Sequence, residues 1–481
     1  NGGSSIGVEL PDTKEQLRVL IDIGQTMAQK YDTVVTNPPY MAISSAAPKL
    51  NNYVNNHYIG GKTDLFSAFI EKCLQMTAPN MYTTMITQQS WMFLTSFEKI
   101  RNIVLSYSIA NMAHLGARGF DEISGEVVQT TSFVIRKTNV GEKYKGTYSR
   151  LIDGSTESEK KEMFISGKYQ YISSAHNFIR IPESIIAYWV SDNTIDCFDQ
   201  RTLEQVFITR EGMATADNER FLRLWHEVNQ HNILFDALDA QDAVIRHAKW
   251  VPYNKGGTTR DWYGNNDYVV DWENDGVEIR NNKDPKTGRI RSHNYNGEFA
   301  FKEGLTWSAI SSGDLSVRYC KNGFLFDSKG AKGFAKQKEN LNWILGLLNS
   351  KIAMQFLQFL SPTLDFKVGD IISIPFLFDA NQKARIDEIV GSIVRMSQIE
   401  WDSFESSWDF VRHPLAPSAR LKQDQLESQF RNDRMEKFGR LSWHYENWRR
   451  DCEERFNSLK SNEEELNRIF IDIYGLQDEL T

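Results

Sequence analysis

Tyr31-Asp32-Thr33-Val34-Val35-Thr36-Asn37-Pro38-Pro39-Tyr40 is the stretch on which the fold turns. A run rich in β-branched residues meets two prolines, which cannot donate to a sheet ladder, so a strand ends near Thr36 and a loop opens at its carboxyl end. Ahead of it, Leu17, Leu20, Ile21, Ile23 and Met27 recur at helical spacing and predict a helix feeding a buried strand. In doubly wound α/β sheets, that carboxyl edge is where ligands bind.

The rhythm continues downstream. Asp64 to Met76 carries an apolar stripe (Leu65, Phe66, Phe69, Ile70, Cys73, Leu74) and predicts a helix; Met81 to Thr87 reads as a strand and Phe97 to Ser106 as a second helix. Two further strand-like runs, Ala110 to Leu115 and Val127 to Ile135, flank Gly116, Gly119, Phe120 and Gly125 and predict a terminal hairpin on a mostly parallel sheet. After about residue 150 the pattern becomes mixed, with helix returning at Asn340 to Leu360, and from Ala384 onward it is helical. The expected organisation is a partial doubly wound α/β domain over 1–150, a mixed α+β domain over 165–390 and an α-helical element over 391–481.

Asn37-Pro38-Pro39-Tyr40 is the motif that carries chemistry; a given string of this composition arises by chance in about one chain in a thousand of this length. An exocyclic amino nitrogen is a poor nucleophile, because its lone pair is delocalised into the ring. The Asn37 side-chain oxygen and the Pro38 carbonyl can each accept one amino hydrogen, which localises the lone pair for in-line attack on a methyl sulfonium, with positioning supplying much of the rest. Tyr40 offers a flat ring on which a base rotated out of a duplex regains stacking. The competing reading is a plain turn with a tyrosine packed on its own sheet.

On these residues, 31–137 resemble the second half of the catalytic domain of γ-type N6-adenine DNA methyltransferases, whose motif at this position is Asn-Pro-Pro-Tyr or Phe. The resemblance implies that Asn37, Pro38 and Tyr40 hold a flipped adenine and that Phe120, in Gly116-Ala117-Arg118-Gly119-Phe120, is a second stacking wall. Lys249-Trp250-Val251-Pro252-Tyr253-Asn254-Lys255-Gly256-Gly257, Arg260-Asp261-Trp262-Tyr263-Gly264 and Trp272-Glu273-Asn274-Asp275-Gly276 are similar to the adenine methyltransferases of BREX phage-exclusion systems and, more remotely, to type IIG restriction-modification enzymes. It implies a restriction-modification or phage-defence role, S-adenosylmethionine as methyl donor, double-stranded DNA and other defence proteins as partners, and a target-recognition domain after the catalytic part. In that family a Gly-rich cofactor loop precedes this strand by two or more β-α units, whereas only about 30 residues precede it here. With a start at Asn1 and an end at Thr481, the chain is expected to be an internal fragment: its cofactor-binding residues are unknown, and by itself it should neither hold adenosylmethionine tightly nor methylate. Self-association or the amino-terminal residues should then cover an open strand edge beside Val34-Val35.

Charge locates a DNA surface. Residues 245–340 hold 16 Lys+Arg against 12 Asp+Glu, whereas 401–481 hold 12 against 17. Lys249, Lys255 and Arg260, interleaved with Trp262 and Tyr263, suit phosphate contact and stacking. Lys329 and Lys332 lie in a Gly-containing basic loop that lacks a full phosphate-loop pattern. A solvated loop with cation-aromatic packing is the bland alternative.

The remaining features exclude classes. Cys73, Cys197, Cys320 and Cys452 are scattered, which argues against a zinc site or a disulfide framework, and the histidines form no metal-spaced pair, so no metal is expected. No apolar run approaches a membrane span, and a soluble cytoplasmic protein is expected. The net charge of -8 argues weakly against wholesale nucleic-acid coating. Two other functions fit the motif: methylation of glutamine amides in proteins, where the nitrogen poses the same problem, and a non-catalytic DNA- or partner-binding module.

Overall fold

In the computed structural model, residues 10–120, 128–139, 141, 144–310, 313–361, 365–416 and 441–481 are described. Gly125 and Val127 of the expected hairpin lie outside these, as do residues 1–9. The fold class is α/β, as the sequence implies, with mixed sheets where a mostly parallel one is expected, and the chain forms two compact units, Asn1–Asp199 and Gln200–Thr481.

The first unit is built on a six-stranded sheet of order β1-β2-β4-β3-β5-β6. Its elements in chain order are α1 (Leu10–Ala28), β1 (Tyr31–Thr36), α2 (Pro48–His57), α3 (Leu65–Met76), β2 (Thr77–Gln88), α4 (Glu98–Leu105), β3 (Tyr107–Gly116), β4 (Thr130–Asn139), β5 (Gly146–Arg150), α5 (Glu157–Ser166), β6 (Gln170–Ser173) and α6 (Ala175–Arg180). Strands β1 and β2 are parallel, joined by a helical crossover, with Thr36 opposite Met85. Strands β3 and β4 form the expected antiparallel hairpin, but β4 is inserted between β2 and β3, and the hairpin is not terminal: β5 adds parallel to β3 and β6 antiparallel to β5. The sheet therefore continues past residue 150.

The core of this unit lies where helices cover the central strands. Phe66, Ile70, Cys73 and Leu74 of α3, Ile100, Val104 and Leu105 of α4, and Met85, Met112, Phe133 and Ile135 of the sheet are buried, each large side chain contributing about 1.5–3 kcal/mol. Strand β1 is an edge with β2 as its neighbour, the open edge expected beside Val34-Val35. Val35 is 69% exposed, so β1 is not the buried strand that its β-branched run also predicts. Helix α1 forms with the predicted stripe, yet Leu17, Leu20, Ile21, Ile23 and Met27 all stay more than half exposed, because nothing in the described residues packs on them.

The second unit has two four-stranded sheets. One joins β8 (Leu222–Leu224), β9 (Trp250–Asn254), β10 (Tyr268–Asp271) and β13 (Leu325–Phe326); the other joins β7 (Phe207–Arg210), β11 (Gly304–Trp307), β12 (Val317–Cys320) and β14 (Lys332–Ala335). The single helix expected over 340–360 is two, Leu341–Leu348 and Lys351–Leu360. Asn349 breaks it because its amide pairs with a strand backbone, accepting from Val317 N and donating to Val317 O at 2.9 Å each. Helices Lys383–Trp401 and Leu441–Tyr474 pack with these two. No helix among the described residues is long and apolar enough to cross a membrane.

Candidate nucleotide-binding edge

Asn37 sits one residue beyond β1, where the prolines end the ladder, and its side chain is exposed while Pro38 is buried beneath it. The Tyr40 hydroxyl donates to Asn37 Oδ1 over 3.4 Å. The Tyr40 ring stands edge-on to the buried Phe66, with centroids 5.9 Å apart and planes at 83°. Burial raises the Tyr40 phenol pKa above its ordinary 10.0, so the ring is neutral at physiological pH.

The loop after the motif is held from the start of α3. Asp64 caps that helix, its Oδ1 accepting from Phe66 N at 3.2 Å in a capping box with Ser67, and the same oxygen accepts from Met41 N at 3.0 Å. Met41 O in turn accepts from Leu65 N at 2.9 Å. A single carboxylate thus ties a helix start to the backbone next to Tyr40, which the sequence pattern marks only as the beginning of a helix. Asp64→Ala is expected to cost about 1–2 kcal/mol of stability in urea denaturation, the usual worth of an N-cap, and to accelerate hydrogen exchange at Met41; unchanged exchange at Met41 would mean the tie is not what orders the loop.

The other strand ends line up on this edge. Gln88 at the end of β2 faces Thr130 at the start of β4, and Gly116 at the end of β3 also faces Thr130. Beyond β3, Phe120 is 36% exposed, on the loop between the hairpin strands. Four residues not singled out from sequence meet here. His114 Nε2 lies 2.7 Å from Gln89 Oε1, His114 Nδ1 lies 2.9 Å from the Tyr188 hydroxyl, and Gln89 Nε2 donates to Gln129 Oε1 at 2.5 Å. Burial first, then the positive charges of Arg150 and Lys160, push the His114 pKa down to about 3, so the ring is a neutral structural imidazole. The paired glutamines at strand ends were the one available sequence signal.

The DNA contacts expected in the second unit divide. Lys332, Trp262 and Tyr263 are core, at 0%, 2% and 3% exposure, and the expectation that they touch DNA is corrected. Lys332 Nζ donates to Lys302 O at 2.7 Å and lies 3.1 Å from Cys320 Sγ, while Trp262 Nε1 donates to Glu463 Oε1 at 2.7 Å. For Lys332 and Trp262 the reason is long-range: each found a hydrogen-bond partner far along the chain. Lys249 pairs with Glu273 at 3.1 Å and Arg260 with Glu400 at 2.7 Å, while Lys255 lies over the Tyr268 ring at 4.6 Å. Lys329 is exposed, its backbone N–H donating to Asp327 Oδ1. Among the described residues no group of three or more His, Cys, Asp or Glu is placed to hold a metal ion.

Comparison with known proteins follows the same lines. Residues 8–120, which contain the Asn37 loop, match the Eco57I restriction-modification methylase family. The adenine-specific methyltransferase PglX of Lacticaseibacillus casei (strain Zhang) is 43% identical over 97% of this chain, and the adenine-specific methyltransferase BrxX of Escherichia coli O9:H4 (strain HS) is 31% identical over 95%. The chain spans 38% and 35% of the lengths of these relatives. Among solved structures, the type IIL restriction-modification enzyme MmeI in complex with DNA shares the fold, with a TM-score of 0.51 at 12% identity, over 92% of this chain and 54% of that one. By sequence along almost its whole length, the chain is a relative of the adenine-specific methyltransferases PglX and BrxX, corresponding to little more than a third of their length.

Proposed function

We propose that the protein takes part in site-specific methylation of adenine N6 in DNA, within a phage-defence or restriction-modification system, and that this chain supplies the target-base site and a DNA-recognition unit. The observation that carries the reading is the Asn37-Pro38-Pro39-Tyr40 loop at the carboxyl end of β1, tied down by Asp64. Asn37 Oδ1 and the Pro38 carbonyl accept the two amino hydrogens of a flipped adenine, which gives the nitrogen tetrahedral character and a directed lone pair. Tyr40 and Phe120 stack on the base. Because the ring edge of Tyr40 abuts Phe66, the platform is oriented before the base arrives.

S-adenosylmethionine is the donor that chemistry of this class uses. Ahead of β1 the described residues contribute the helix α1. No step is assigned to the donor, and this chain's part is to hold the base and prepare its nitrogen. For DNA, the part of the expected 165–390 domain that lies in the second unit, residues 200–390, forms the recognition part and residues 391–481 a helical spacer or interaction element, with the exposed Lys329 together with Lys249, Lys255 and Arg260 as phosphate contacts.

Methyl transfer by the full-length protein, with radiolabelled adenosylmethionine, duplex DNA and a protein acceptor offered together, tests this. N6-methyladenine in the digested DNA is the expected product. Label in glutamine of the protein, or label in no acceptor, would replace the reading by amide methylation or by a binding role.

A further inference from the structure

Gln129, Gln89, His114 and Tyr188 form one hydrogen-bonded string, and its free end lies on the same sheet edge as Asn37. The directions of its bonds follow from His114. A neutral imidazole has one N–H donor and one acceptor nitrogen. Gln89 Oε1 can only accept, so His114 Nε2 carries the hydrogen, and Nδ1 accepts from the Tyr188 hydroxyl. Tyr188 is 2% exposed and stacked on Tyr148, with centroids 5.0 Å apart and planes at 9°, so the string is anchored in the core.

With its oxygen turned to His114, Gln89 must present its NH2 to Gln129, and it does, at 2.5 Å. The backbones are paired as well, Gln89 N donating to Gln129 O at 2.9 Å. The Gln129 oxygen is thereby turned toward Gln89. The other end of this exposed side chain is an amide NH2 with two donors. Beside it, the buried Thr130 Oγ1 has no hydrogen-bond partner.

The placement fits one kind of ligand atom. Strand β4 lies two strands from β1 in the sheet, about 10 Å away, a gap that two side-chain amides and a purine between them can fill. Asn37 and Pro38 offer acceptors, which suit an amino group; Gln129 offers donors, which suit the lone pair of a ring nitrogen. Adenine carries both on one face, an amino group flanked by acceptor nitrogens.

Building on the adenine reading above, we propose that Gln129, oriented by Gln89, His114 and Tyr188, donates a hydrogen bond to a ring nitrogen of the flipped base and is a specificity-determining residue of the site. Gln89 and His114 are positioning residues: they fix which end of the Gln129 amide faces the base.

The test uses the full-length protein and a duplex bearing the sequence it methylates, with the target adenine replaced in turn by its 1-deaza, 3-deaza and 7-deaza analogues. The wild type should lose about tenfold in kcat/KM on one analogue, the worth of one hydrogen bond. Gln129→Leu should lose a similar factor on adenine and nothing further on that same analogue, while retaining its sensitivity to the others. Unchanged kcat/KM in Gln129→Leu, or a loss that multiplies equally with every analogue, overturns the inference. Asn37→Ala on the unmodified duplex separates the levels: if it is inactive while Gln129→Leu is unaffected, only the Gln129 assignment fails, and if it is fully active the base-site reading fails and this inference with it.

Discussion

Asn37→Ala in the full-length protein is expected to lower methyl transfer to DNA by about 100- to 1,000-fold, the range seen when one preorganised hydrogen-bond partner of a transition state is removed. The size follows from where the interaction is made. Asn37 is exposed at a strand end and its oxygen receives only the long bond from the Tyr40 hydroxyl, so it contributes little to folding and is available to the substrate. The amino nitrogen needs its hydrogens held most when the lone pair leaves the ring, so the loss should fall on kcat and kcat/KM alike and leave DNA binding nearly unchanged. Methylation at a near wild-type rate would remove Asn37 from the chemistry, and with it the central claim.

Arg101→Met is the largest stability effect expected, about 3–5 kcal/mol, since it removes the charged partner of a buried polar cluster and leaves that cluster's acceptors without donors. Arg101 has no exposed surface. Its Nη1 donates to Trp91 O at 3.0 Å and Leu94 O at 2.7 Å, and its Nε to Glu183 O at 2.9 Å, while Glu183 Oε2 lies 3.9 Å from Nη2. Burial pulls its pKa down to about 10, against the pull of Glu183 and Glu98, which leaves it charged at neutral pH. Two of the three carbonyls it satisfies, those of Trp91 and Leu94, lie in or just after the turn that follows β2 and begins at Gln89, so the same substitution should loosen the edge that carries the glutamine pair. Urea denaturation of the full-length protein, followed by a probe in the first unit, measures it; a loss below about 1 kcal/mol would mean that the carbonyls find other donors.

Local pattern made the candidate site legible. Two prolines after a β-branched run end a strand wherever they occur, so the position of Asn37 at the carboxyl tip of β1 could be read without coordinates, and the stripes of α3 and α4 could be read from their spacing. Asp64 was legible as a helix start, though its second bond to Met41 was not, because that partner lies 23 residues back along the chain. The expected DNA contacts at Lys332, Trp262 and Tyr263 show the converse. Their residue types favour exposure or interfaces, and composition says nothing about the carbonyl and thiol that the fold brings to Lys332 or the carboxylate it brings to Trp262.

What the sequence by itself determined is therefore the α/β class, the loop chemistry of Asn37-Pro38-Pro39-Tyr40 and the kinship with adenine-specific methyltransferases, all of which depend on neighbours within a few residues or on similarity along the chain. Only the tertiary structure decided that β4 enters between β2 and β3, that α1 stays uncovered among the described residues, and that Gln129, Gln89, His114 and Tyr188 form a single string. Strand order and hydrogen-bond partnership join residues 25 to 74 positions apart, and such pairings are set by which surfaces bury each other, a competition among the whole set of elements that no local stretch encodes.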